Sequence, residues 1–110
     1  MRMLDLIAKK REGGEHSPEE LDFIARAAAQ GSVPDYQLSA WLMAVCLRSM
    51  SVKERVALTR AMARSGKTLG LSSIHVPKVD KHSTGGVGDG VSIVLAPLLA
   101  AAGVCVPMMS

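Results

Sequence analysis

A lysine, a histidine and two hydroxyl side chains stand in a row at Lys81-His82-Ser83-Thr84, and Gly85, Gly86, Gly88 and Gly90 follow within a few residues. Lys81 offers a point charge, and Ser83, Thr84 and the nearby Ser92 offer hydroxyl donors that suit phosphate oxygens. The glycines let the backbone come close to a ligand. His82 is the candidate catalytic group, because a histidine near neutrality can donate a hydrogen bond or a proton to a leaving group. The run is neither a Walker A loop nor a Gly-x-Gly-x-x-Gly fingerprint. Its own chemistry fits a phosphate cradle and a structural turn about equally, and capping would also occupy Ser83 and Ser92.

The flanking residues decide what such a run can do. Val76-Pro77-Lys78-Val79-Asp80 before it is β-prone, and Val91-Ser92-Ile93-Val94-Leu95-Ala96 after it reads as the opening of a buried helix. Strand, glycine-rich turn and helix is the arrangement in which backbone N–H groups converge on an anion. Further on, Val104-Cys105-Val106 favours a buried parallel strand. Residues 91–109 carry no charge, yet Pro97, Gly103 and Pro107 interrupt them, which speaks against a membrane span.

The part of the chain before residue 67 reads as helices. Met3, Leu6 and Ile7 share one face of a first helix, with Lys9, Lys10 and Arg11 at its carboxyl end and Gly13-Gly14 as its stop. Ser17-Pro18-Glu19-Glu20 is a capping box that opens a second helix with an apolar stripe of Leu21, Ile24, Ala25 and Ala28, ended by Gly31. A third helix starts near Pro34-Asp35. Its wide apolar face, Leu38, Trp41, Leu42, Met43, Val45, Cys46 and Leu47, suits either the centre of a bundle or a dimer interface. Ser51-Val52-Lys53-Glu54 caps a fourth helix, through Val56, Leu58, Ala61 and Met62 to Gly66. His16 and His75 read as ordinary turn residues. Residues 67–75 lose periodicity and mark a hinge.

Lys81-His82-Ser83-Thr84-Gly85-Gly86-Val87-Gly88-Asp89 resembles the signature of the thymidine and pyrimidine-nucleoside phosphorylases. The likeness extends to Met1–Arg11, Pro34–Ala40, Leu95–Leu98 and Val106–Ser110, and so to essentially all of the chain, which would form the first quarter of a member. The resemblance implies an all-α helical domain over residues 1–66, a hinge at 67–75 and the beginning of an α/β phosphate-binding domain over 76–110. It implies reversible phosphorolysis of pyrimidine nucleosides to free base and pentose 1-phosphate, in a cytoplasmic homodimer joined through the helical domain. It makes Lys81, Ser83, Ser92 and Ser110, with Met108 and Met109, the phosphate site, and it has His82 assist departure of the base. Some members hold a potassium ion through backbone carbonyls at positions matching Gly88 and Gly90; glycine at 90 replaces a residue that commonly carries a side chain. No organic cofactor is implied.

Two other readings stay open. Anthranilate phosphoribosyltransferase-like glycosyl transfer uses a related glycine-rich loop, but its Gly-Thr-Gly-Gly-Asp is not the sequence here. A chain that stops at Ser110 would lack the segments that grip the base and would be expected to act only as a helical dimerisation module. Composition narrows the rest. The 110 residues are 48% hydrophobic, which fits a globular chain, and a single Trp, Tyr and Phe leave little for base stacking. The net charge of +3 is scattered along helical patterns and reads as a solvated surface rather than a nucleic-acid interface. Cys46 and Cys105 are widely separated among apolar neighbours and read as buried free thiols.

Overall fold

The computed structural model describes residues 1–81 and 90–108. It contains α1 (Met3–Arg11), α2 (Pro18–Gln30), α3 (Asp35–Arg48), α4 (Val52–Ser65) and α5 (Gly90–Ala101). The chain divides into two compact units, Met1–Thr68 and Leu69–Ser110.

The first unit is the helical domain. Here α1 packs on α3, and α2 on α4. Met3 and Leu6 of α1, Leu21 and Ile24 of α2 and Trp41 of α3 form its core, with Ala57 and Leu58 of α4 packed against them. Burying each of the larger apolar side chains contributes about 1.5–3 kcal/mol. Both capping boxes form. The Ser17 hydroxyl accepts from the Glu20 N–H at 3.3 Å and the Glu20 carboxylate accepts from the Ser17 N–H at 2.8 Å. The Ser51 hydroxyl accepts from the Glu54 N–H at 3.2 Å, and the Glu54 carboxylate from the Ser51 N–H at 2.8 Å. Gly31 closes α2 in the left-handed region, φ +65°.

Each capping glutamate is also gripped by α1. Lys9 Nζ donates to both oxygens of Glu20, at 3.0 and 2.8 Å, and Lys10 Nζ to both oxygens of Glu54, at 2.8 and 2.9 Å. The cationic end of α1 thereby clamps the amino-terminal turns of α2 and α4, where carboxylates are favoured by the helix dipoles. The Lys10–Glu54 pair is buried, the two side chains being 4% and 2% exposed. Lys10 is therefore not the solvated surface charge that the sequence suggested, whereas Lys9 stays partly in water. Only folding back of the chain brings α4 to α1.

His16 is not an ordinary turn residue either. Its side chain is fully covered between α1, α2 and α3. Trp41 Nε1 donates to His16 Nε2 at 3.0 Å, and His16 Nδ1 lies 3.2 Å from Glu20 Oε2. The backbone N–H of His16 donates to Glu54 Oε1 at 2.8 Å.

Other expectations need correction. Cys46 is exposed, because Trp41 and Ala44 turn the inner face of α3 toward α1 and leave Leu42, Met43, Cys46 and Leu47 outward. Ala28 lies on the α2 stripe but is exposed, whereas Ala27 is buried. Its methyl is too short to be covered where it meets an apolar groove of about 360 Å³ between α2, α3 and α4. On α4, Val56 and Met62 face outward, and Ala57, Leu58 and Ala61 face the domain.

In the second unit, the segment after residue 68 has a turn, with the Ile74 N–H donating to the Leu71 carbonyl at 3.1 Å, before it becomes extended. Lys78 and Cys105 form a parallel β-bridge, through Val79 N–H to Cys105 C=O at 2.9 Å and Cys105 N–H to Pro77 C=O at 2.8 Å. Val104-Cys105-Val106 is half-buried rather than buried. Helix α5 runs through Pro97 instead of stopping at it. The ring removes the bond to the carbonyl of Ile93, and Ile93 is exposed, so water can satisfy that group. Val91, Ile93, Val94 and Leu98 of α5 are exposed rather than buried, and among the described residues the pairing in this unit is the Lys78–Cys105 bridge. Gly103, at φ +90°, turns the chain from α5 back to the bridge. Among the described residues no helix is long and apolar enough to cross a membrane.

Candidate functional site

The parallel bridge fixes where the candidate site begins. Because Lys78 is paired with Cys105, the chain leaves the bridge at Val79 and delivers Lys81 two residues later to contact Ser92 of α5. The Lys81 backbone N–H donates to Asp80 Oδ1 at 2.9 Å, and its ammonium Nζ donates to Ser92 Oγ at 2.7 Å. Lys81 is half-buried, and Ser92 is buried.

That contact has a definite polarity. A lysine ammonium can only donate, so Ser92 Oγ is the acceptor and its own proton is free to point elsewhere. Ser92 is the third residue of α5, described from Gly90, so the contact lies in the first described turn of that helix. Ammonium, hydroxyl and helix amino terminus all favour negative charge.

Beside it lies a small crevice of about 140 Å³, lined by Val79, Asp80, Lys81, Leu95, Ala96, Leu99, Val106 and Met108. Its wall is mostly aliphatic, which strengthens the charge interactions at its polar rim. Among the residues singled out from sequence, Lys81 and Ser92 are brought into contact, Met108 lines the same crevice as Lys81, and Gly90 opens α5. His82, Ser83, Gly88, Met109 and Ser110 lie outside the described residues. Asp80 was not singled out; an acidic residue directly before a basic signature gave no signal that it would hold the lysine's backbone.

The helical unit and the lysine-bearing unit each correspond to a known domain. Residues 4–66 match the family model described as glycosyl transferase family, helical bundle domain, and residues 75–110 match the one described as glycosyl transferase family, a/b domain. The chain belongs to this glycosyl transferase family, with an all-α domain followed by the start of an α/β domain. Over all 110 residues it is 54% identical to a pyrimidine-nucleoside phosphorylase of Bacillus subtilis (strain 168). It is 53% identical over the same length to those of Geobacillus stearothermophilus and Staphylococcus haemolyticus (strain JCSC1435). The chain spans 25% of the length of each of these relatives.

Proposed function

We propose that the protein to which this chain belongs catalyses reversible phosphorolysis of pyrimidine nucleosides, giving the free base and a pentose 1-phosphate. The observation that carries the reading is the Lys81 ammonium seated on the buried Ser92 hydroxyl at the amino terminus of α5. The likeness of all 110 residues to pyrimidine-nucleoside phosphorylases supports phosphate and a pyrimidine nucleoside as the substrates.

In this reading phosphate is held by Lys81, Ser83, Ser92 and Ser110, together with Met108 and Met109. As the N-glycosidic bond breaks, its electron pair leaves with the base and positive charge develops at C1′, as in other glycosyl transfers. The phosphate stabilises that charge and then forms the new C1′–O bond. His82 donates a hydrogen bond or proton to the departing pyrimidine through a carbonyl oxygen. The exposed outer face of α3, with Leu42, Met43 and Leu47, supports a homodimer joined through the helical domain. Small soluble substrates and two free cysteines fit a cytoplasmic protein.

Potassium belongs to the same proposal. A peptide carbonyl is a hard oxygen donor of the kind that replaces water around this ion, and Gly90 has open space where a side chain would stand. Gly88 and Gly90 would contribute carbonyls, and the ion would hold the loop in shape; no step of the reaction runs through it.

The test is ultraviolet assay of uridine and thymidine cleavage by the complete protein in phosphate. His82→Ala is expected to lower kcat by about 10²–10⁴-fold with little change in the phosphate KM, whereas Lys81→Ala raises that KM. Wild-type kcat in His82→Ala, or no cleavage of either nucleoside by the parent protein, refutes the reading.

A further inference from the structure

The buried polar cluster of the helical unit is neutral only while His16 is neutral. Two cations, Lys9 and Lys10, face two carboxylates, Glu20 and Glu54, and these four charges cancel. His16 sits among them with both ring nitrogens engaged. An indole N–H can only donate, so Nε2 must be the acceptor and the single ring proton resides at Nδ1, toward Glu20. There is one place for a second proton, and it is the lone pair that receives Trp41.

We propose that His16 is a proton-operated latch: uptake of a second proton at Nε2 breaks the buried bond to Trp41 and frees α3 from the connection between α1 and α2. The proton enters as H⁺ from solvent, no covalent bond between heavy atoms changes, and the product is an imidazolium whose Nε2–H faces the indole N–H. Two donors in contact repel. The Trp41 ring, which is 2% exposed and part of the core, must turn or shift to relieve them. Because α3 packs on α1 through this residue's face, the displacement is transmitted along the helix.

The neighbours on every packed element bear on the sign. From α1 come Lys10, which opposes a further positive charge, and Lys9, already spent on Glu20. From α2 comes Glu20, which favours it, and from α4 Glu54, which favours it less, its carboxylate being engaged by Lys10, Ser51 and the His16 backbone. Glu15 and Lys53 lie at the rim of the adjoining crevice. Burial is the largest influence, and it outweighs Glu20, holding His16 below the ordinary histidine value of 6.5. The latch is therefore closed at neutral pH and opens only in acid.

The sole tryptophan of the chain is the reporter. In the complete protein, the Trp41 indole N–H resonance, assigned by its loss in Trp41→Phe, is followed from pH 8 to pH 5 alongside the ring nitrogens of His16. The expected result is one transition of the indole signal with its midpoint below 6.5, tracking protonation of His16. It is absent in His16→Leu, and the His16 midpoint moves upward in Trp41→Phe, where nothing occupies Nε2. An indole signal that does not move, one that still titrates in His16→Leu, or a His16 midpoint unchanged in Trp41→Phe overturns the proposal. Should His16→Leu fail to fold, the direction of the Trp41→Phe shift decides alone.

Discussion

Removing the charge of Glu54 tests the clamp between α1 and α4 directly. Its carboxylate accepts four hydrogen bonds, two from Lys10 Nζ and one each from the backbone N–H groups of His16 and Ser51. A glutamine in its place has one acceptor oxygen, so it can serve only one of the two backbone donors and turns its own NH₂ against the other. It also removes the charge that balances the buried Lys10 ammonium, which keeps the amide oxygen and the Gly14 carbonyl at 3.3 Å as neutral acceptors. Breaking a buried pair by removing one member costs about 3–5 kcal/mol. At about 4–8 °C per kcal/mol for a unit of this size, the low end of that range lowers Tm by about 12–24 °C. Lys10→Met is the informative control. It removes two charge-assisted bonds but leaves the carboxylate with both backbone donors at the amino terminus of α4, and so costs about 1.5–3 kcal/mol. Urea unfolding of the protein followed by circular dichroism measures both. The reasoning fails if Glu54→Gln lies within about 1 kcal/mol of the parent, a surface-like effect, or if Lys10→Met is the more damaging change.

The same carboxylates set the acid response. For Glu54, burial alone would raise the pKa, but the His16 N–H, Lys10 and the Ser51 N–H outweigh it; for Glu20, burial is likewise outweighed by Lys9, the Ser17 N–H and His16. Both are lowered from 4.5, so their stabilisation is complete above that pH and is lost as the pH falls below it through the folded values. The urea midpoint should therefore drop steeply below pH 4.5, with a shallower slope in Glu20→Gln; an equal slope in that variant contradicts the assignment. At the helix ends, Ser17→Ala is expected to cost about 1 kcal/mol through loss of the cap, and Gly31→Ala about 1–2 kcal/mol because residue 31 is left-handed. Thermal melts check both, and unchanged melting points would mean that the α2 ends carry no stability.

How much could be read in advance followed the range of the interaction. The capping serines, their glutamates three residues on, the glycine that stops α2, the start of α3 and the limits of α4 were legible, because a helix end is made by residues within one turn of each other. Lys81 and Ser92 were legible as candidates from their types and spacing. Their contact was not, since it requires the Lys78–Cys105 bridge to bring the chain back to α5. His16 gave no signal at all. Its importance comes from Trp41, which stands 25 residues away, and no periodicity connects a turn to the inner face of a later helix. In the same way Lys9 and Lys10 read alike as basic residues at a helix end, and only packing buries one of them against Glu54. Sequence alone determined where the helices of the first domain begin and which family the signature resembles, because those depend on neighbours along the chain. Which charges are withdrawn from water, and which apolar faces remain in it, was decided only when distant segments met, since burial belongs to the assembled surface and not to any residue.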